Sequence, residues 1–530
     1  MQKANLISYL KDKNFLFFSG LILAYGIFLS IFSPADFPTS MKAGFMPYLS
    51  DKPVGEDGFY MLDLAWNVAS NKGLSYAGLP TTGTQPLVTF IYSLLAWINI
   101  NFLGANKWLL VRHIILFGTF THIIFSYLMG CICTLLYKKQ NNNILIFSIG
   151  SSLTLFSFGL YRISTYGLET GFYLLGLAYF FLFLLINLKK GHKLNVFNIM
   201  YIGLISGLLI LTRIDFLIIL GFTLLFLNIK KIFPVYKSSL IFLIALIISS
   251  PWFFYVKSIT DKFIPSSGGA QSELINFENI SSRSTEFVKS FISHFSILIK
   301  DGREVLFFSS LIVVFFFVLI NFLNKKVYNE TKKILSNSIF ISFGFSLLLL
   351  SLIYFSTSWA THFYYRYISP ISIILIPIIS INLISIFKTK KYIFFVCILL
   401  FTLQSYASLH LGNVGNTNSV TAGYVYSNFQ SNNEYIGAFQ SGVVGYFNNN
   451  VINLDGKLDH NALKAHLRHK DRKDNYKFSK FIEEKNINII VDWEKYFKNY
   501  LNDLILNNKN WVKCDFKINN QQSICLRKIS

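Results

Sequence analysis

Two adjacent carboxylates, Glu56 and Asp57, are the sharpest chemical feature of this sequence. They follow the first long apolar run and lead into Phe59, Tyr60, Leu62, Leu64, Ala65, Val68 and Ala69, a pattern that fits an amphipathic helix at a membrane surface. A carboxylate held there can take the proton of an attacking hydroxyl during transfer from a phosphate-linked donor. Residue type alone favours the plainer role of capping a helix N-terminus.

Arginines near the ends of apolar runs form a second set: Arg162, Arg213 and Arg366. A guanidinium offers a fork of donors to phosphate oxygens and stays charged when partly desolvated, so each is a candidate phosphate ligand. Pairing with Glu169 or Asp215, or snorkelling to the interface, is the alternative. Glu169 could also help hold a divalent cation, although no dense cluster of metal ligands is present and no metal ligands are assigned. His362, one turn before Arg366, could touch phosphate or sugar, and an interfacial histidine is the plainer reading. Tyr364, Tyr365 and Tyr367 suit an aromatic belt, with Tyr367 beside Arg366 kept as a substrate contact.

These residues need a membrane around them. Of 530 residues, 53% are hydrophobic and only 14% charged, too apolar for one soluble core. The net charge of +22 does not imply nucleic acid, because the lysines fall in short clusters between apolar runs. Clusters in Met1 to Asn14 and at Lys138-Lys139, Lys189 to Lys193, Lys230 to Lys237, Lys325 to Lys333 and Lys388 to Lys391 mark the cytoplasmic side. Spans are then expected near 15-34, 110-136, 144-160, 170-188, 197-212, 213-229, 238-256, 304-324, 335-356, 367-386 and 391-409. The first reads as a signal anchor, since no convincing cleavage site follows it.

The segment Pro86 to Leu103 breaks the parity if it crosses, so it is expected to be a membrane-surface or re-entrant helix closing a long first external loop, 35-109. From about Leu411 the composition turns polar. Ile436 to Phe439, Val451 to Leu454 and Ile487 to Val491 read as buried strands, and Leu458 to His469 and Phe478 to Lys485 as helices. The chain therefore divides into a transmembrane part, 1-410, and an extracytoplasmic α/β domain, 411-530. Ser441-Gly442 reads as a helix start that either caps or binds an anion, and Asp455-Gly456 as a turn. Cys514 and Cys525 flank a polar stretch as hairpin neighbours would, making them disulfide candidates, whereas Cys131, Cys133 and Cys397 lie in apolar runs as inert thiols.

The stretch from Glu56 to Ser75, followed by Pro80-Thr-Thr-Gly-Thr-Gln-Pro-Leu87, resembles the first external loop of GT-C glycosyltransferases. The likeness is to bacterial members related to arabinofuranosyltransferases, aminoarabinose transferases and protein mannosyltransferases. Gly167-Leu-Glu-Thr170, Leu211-Thr-Arg-Ile-Asp215, Tyr364-Tyr-Arg-Tyr367 with Pro370, and Val451-Ile-Asn-Leu-Asp-Gly456 resemble further positions of the group, in the same order. The resemblance implies a GT-C-type α-helical integral membrane protein with about eleven transmembrane helices and a C-terminal extracytoplasmic α/β domain, placed in the bacterial inner membrane. It also implies catalysis by the acidic pair, with Asp57 as the second acid and Glu56 in place of the commoner Asp.

The expected partners are a polyprenyl-phosphate-linked sugar donor, a glycan or lipid acceptor and membrane lipid. Transfer would proceed with inversion at the sugar. A polysaccharide exporter or lipid flippase is the alternative, since it too needs polar groups among many helices. An oligosaccharyltransferase is disfavoured because Val491-Asp-Trp493 is a poor match to a sequon-reading motif.

Overall fold

A computed structural model describes residues 6–32, 37, 53–137, 143–188, 195–272, 280–293, 321–357, 364–386, 417–429, 434–471, 476–493, 510–514 and 523–528, with isolated residues at 311–319 and 496–501. Among these residues, six helices are long and apolar enough to cross a membrane: Lys13–Ile31, Lys107–Tyr137, Thr170–Asn187, Val235–Thr260, Ser338–Ser356 and Tyr365–Ile384. Pro86–Phe102, Val196–Thr212 and Phe216–Ile229 are shorter apolar helices. The chain is a multi-pass membrane protein. The expected span at 391-409, and most of that at 304-324, lie outside the described residues.

The run expected as one span at 144-160 is instead two helices, Asn143–Leu155 and Phe158–Thr165, bent by 59°. Ser157 adopts an extended conformation at the break, which frees the Leu155 carbonyl from its helical partner. The buried His122 ring nitrogen Nε2 lies 3.2 Å from that oxygen and supplies the partner that an apolar medium does not. The run at 367-386 stays one helical stretch, tightened by a short 3-10 turn, Ser369–Ile371, whose Pro370 lacks an N–H.

The helix Lys107–Tyr137 is the axis of the bundle, packing on Lys13–Ile31, Asn143–Leu155, Phe158–Thr165 and Thr170–Asn187. Small residues let the helices approach: Gly203 and Gly207 face Ile244 and Ile248. Buried hydroxyls inside the bundle return to their own helices, as in Thr119 to Ile115 and Ser151 to Phe147.

Between the first two spans, the helix Glu56–Ala69 is followed by a hairpin of β1 (Ser75–Tyr76) and β2 (Leu79–Pro80), then by Pro86–Phe102. The last helix buries Val88, Thr89, Tyr92, Ser93, Ala96 and Asn99, and exposes Phe90, Leu94, Trp97 and Phe102. Its bare apolar face suits lipid, while its length of about 26 Å falls short of the roughly 30 Å hydrocarbon core.

A five-stranded sheet of order β4-β3-β5-β7-β6 forms the C-terminal region, from β3 (Tyr435–Ala438), β4 (Val451–Asn453), β5 (Ile487–Trp493), β6 (Trp511–Lys513) and β7 (Ser523–Lys528). β4, β3 and β5 run parallel, β7 pairs antiparallel with β5, and β6 pairs antiparallel with β7, returning to the direction of the first three. Phe439, Leu454, Phe478, Ile482 and Ile490 are buried in its core. Cys514 and Cys525 are joined by a disulfide across β6 and β7. The carboxyl ends of β3 and β4, where α/β sheets commonly build sites, face the loop that holds Glu56 and Asp57.

Gly118 tests the packing with an unambiguous sign. In a helix interior Gly→Ala ordinarily stabilises, by about 1 kcal/mol. A Cβ on Gly118, however, would come within 2.3 Å of the Ser164 carbonyl oxygen, whereas one on Gly20 meets nothing within 4 Å. Gly118→Ala should lower stability by about 1–3 kcal/mol through overpacking, and Gly20→Ala should be neutral or stabilising. Thermal unfolding of the detergent-solubilised protein checks both.

Candidate functional site

Glu56 opens its helix after Gly55, pressed against the turn Tyr166-Gly167. A Cβ on Gly55 would lie 1.9 Å from the Tyr166 ring, and one on Gly58 would lie 2.3 Å from the Tyr166 carbonyl. Gly167 has a φ of +81°, a conformation that side chains resist, and this lets the turn close on the helix start. The Gly167-to-Thr170 motif and the acid pair are thus one piece of structure.

The two acids have different surroundings. Glu56 sends its carboxylate to the N-terminus of the short helix Gly442–Phe447, where Oε1 accepts from the Gly442 N–H and Oε2 from the Val443 N–H at 3.3 Å. Asn418 Nδ2 donates to Oε2 at 2.8 Å. Burial raises its pKa to about 7 against these hydrogen bonds, with the negative charge of Asp57 adding to the rise. The helix start read at Ser441-Gly442 therefore holds a carboxyl group, and it belongs to this same chain.

Asp57 stands between two cations: Oδ1 is 3.3 Å from Lys457 Nζ and Oδ2 is 3.6 Å from Arg366 Nη1. Its side chain remains partly exposed, so it can be reached. Lys457 Nζ also lies 3.2 Å from Asp455 Oδ2. Burial alone would lower the lysine's pKa, but the two carboxylates raise it above the ordinary value, which keeps the ammonium charged.

Arg366 is held by aromatic rings. Its guanidinium lies 5.1 Å from the Tyr367 ring centre, and Tyr367 stacks on Tyr354 at 4.4 Å and 10°. The Tyr354 hydroxyl donates to Asp215 Oδ2 at 2.5 Å and accepts from Arg213 Nη2 at 2.9 Å. Arg213 is 2.8 Å from Glu169 and makes a two-pronged pair with Asp215. The structure thus gives Arg213 the pairing role that its sequence position left open. Arg162 lies 5.9 Å from the ring of Tyr166, in the same wall as the acid pair. His362 lies outside the described residues.

Among the described residues, no group of three or more His, Cys, Asp or Glu side chains is arranged to hold a metal ion. The site's unforeseen members are Lys457, Asn418, Tyr354 and Tyr166. Lys457 follows Asp455-Gly456 directly, and a cation next to a turn already matched to the family pattern was the available signal.

No family model matches the sequence, and no curated protein matches it in sequence. Solved structures do match in fold. ArnT from Cupriavidus metallidurans, in a crystal structure with bound undecaprenyl phosphate, superposes with a TM-score of 0.54 at 7% identity, over 96% of this chain and 98% of that one. The oligosaccharyltransferase from Archaeoglobus fulgidus, in its apo form, superposes with a TM-score of 0.50 at 12% identity, over 92% of this chain and 71% of that one. The fold is that of GT-C glycosyltransferases.

The Glu56 environment has a pH signature. Its folded value of about 7 lies above the ordinary 4.5, so the native state binds the extra proton between these values. The stability this confers is complete below about pH 4.5 and is lost as pH rises through about 7, amounting to at most about 3 kcal/mol. Glu56→Gln keeps the shape without the titration. The melting temperature of wild type relative to Glu56→Gln should fall by several degrees from pH 5 to pH 8. Asp492, raised by burial to about 7 as well, is present in both proteins and cancels.

Proposed function

We propose that this protein is an inverting glycosyltransferase that moves a sugar from a polyprenyl-phosphate donor to the hydroxyl of a glycan or lipid acceptor. The observation that carries the reading is Asp57: a reachable carboxylate at a helix start, flanked by the cations Arg366 and Lys457, in a loop beside the membrane-spanning helices. The neighbouring fold with bound undecaprenyl phosphate supports a lipid-phosphate donor.

Asp57 is the base in this reading, because the Glu56 oxygens are already taken by Gly442, Val443 and Asn418. It removes the acceptor hydroxyl's proton as that oxygen attacks the anomeric carbon opposite the departing phosphate, which inverts the centre. Arg366 meets the phosphate with its fork of donors. Tyr367, Tyr354, Asp215, Arg213 and Glu169 position Arg366 through the stacked rings. The donor enters sideways from the outer leaflet of a bacterial cytoplasmic membrane. The first loop and the C-terminal domain, 411-530, face outward, as the lysine distribution favours.

Surface glycans of a strain lacking the protein, complemented with variants and compared by mass spectrometry, test the assignment. Wild type should restore one sugar, and Asp57→Asn should lose at least about a hundredfold in transfer, the usual weight of a general base. Glu56→Gln, expressed to the same level, should lose less transfer than Asp57→Asn, since one acceptor oxygen still meets the helix start and the base is untouched. Near-normal transfer by Asp57→Asn would remove Asp57 from the role.

A further inference from the structure

Lys457 is presented to Asp57 by an unusually well-fixed main chain. Its carbonyl accepts from the Ser266 hydroxyl at 2.8 Å, and the next carbonyl, of Leu458, accepts from the Thr81 hydroxyl at 2.6 Å. The Lys457 N–H donates to Asp455 Oδ1 at 2.9 Å, and the Leu458 N–H donates to Asn453 Oδ1 at 3.2 Å. A Cβ on Gly83 would come within 2.0 Å of the Lys457 carbonyl oxygen, so the first loop closes on this segment only because residue 83 is glycine. Two segments far apart in sequence therefore hold the backbone, while the flexible side chain reaches the acid.

The ion pairs described at Asp57 already join acids to bases in the absence of a substrate. Asp57 and Asp455 face Arg366 and Lys457, two negative groups against two positive ones. A donor phosphate entering this cluster brings a further negative charge that needs a cation. Arg366 is fixed by its stacked tyrosine. An ammonium, by contrast, is a point charge on a rotatable stem with three donors, able to exchange one oxygen acceptor for another.

We propose that Lys457 is a donor-gated partner of the catalytic acid: it pairs with Asp57 in the free enzyme and passes to the donor phosphate on binding, with Asp455 as its constant anchor. The inference rests on the reading of Asp57 as the base. The exchange does two things at once. It strengthens Asp57 as a base only when a donor is present, because the adjacent positive charge has moved away. It also places that charge where the leaving group needs it. As the acceptor oxygen bonds to the anomeric carbon, its proton goes to Asp57, and the bond from that carbon to the phosphate oxygen breaks with its electron pair on the phosphate. Lys457 and Arg366 neutralise the charge formed there.

Because this is a competition between two anions for one cation, binding alone can test it. The probe is undecaprenyl phosphate, titrated into the full-length protein in lipid nanodiscs, with wild type, Asp57→Asn, Lys457→Met and the double variant. Lys457→Met should weaken binding about tenfold, as the loss of a charge-assisted contact implies. Asp57→Asn should tighten binding about tenfold in the wild-type background and by clearly less with Lys457→Met, where only Arg366 is left to release. Equal tightening in both backgrounds would mean simple charge repulsion and would overturn the exchange while leaving Asp57 as base. Unchanged affinity in Lys457→Met would overturn it too, and a wild type with no affinity for the probe would sink both the exchange and the donor assignment. Should Lys457→Met not give folded protein, Lys457→Gln repeats the cycle with a polar but uncharged side chain.

Discussion

A single carboxylate in the wrong medium organises this site. Glu56 is half-buried in a place where its charge is poorly solvated, and the N–H groups at the start of Gly442–Phe447 take up its oxygens. That contact fastens the first loop to the C-terminal sheet region, and other bonds across the same seam depend on the register it sets. Tyr60 and Tyr76 bond to the backbone of Phe439 and Ser441. Gly442 leaves the space that the Glu56 backbone fills, since a Cβ there would lie 2.2 Å from its oxygen. Only with this seam closed does a lysine of the C-terminal region stand beside Asp57.

The adjacent acids illustrate how neighbours in sequence take different work. They are adjacent at the start of a helix, and the 100° turn between them sends one toward the seam and the other toward Arg366 and Lys457. Glu56 tends toward the neutral form and is a fastening; Asp57 is flanked by cations and stays within reach. A comparable division runs through the arginines. Arg213 is consumed by Glu169 and Asp215, and its contribution reaches the cavity only through Tyr354 and Tyr367, which carry Arg366.

Much of this was legible from the chain itself, wherever the signal is local. The period of the residues after Asp57 and the alternating stretches around Cys514 and Cys525 act within a few residues. The bend after Leu155 was not legible, because no proline marks it, Gly159 alone is a weak signal, and the group that meets the Leu155 carbonyl, His122, lies on another helix. Lys457 was missed for the same reason. The turn of Asp455, Gly456 and Lys457 marks a cation beside a matched motif, but its meeting with an acid 400 positions earlier is a long-range contact that no local pattern carries.

That separation has a consequence for how the protein comes into being. At roughly 5–20 residues per second, Asp57 leaves the ribosome some 20–80 seconds before Lys457 does. Throughout that interval the nascent chain carries its acid pair without the segment that seats Glu56 or the lysine that balances Asp57. The cluster around Asp57 is therefore completed late, after most of the helices have been made, and a polypeptide stalled or cut short before residue 457 carries Asp57 with Arg366 but without its lysine.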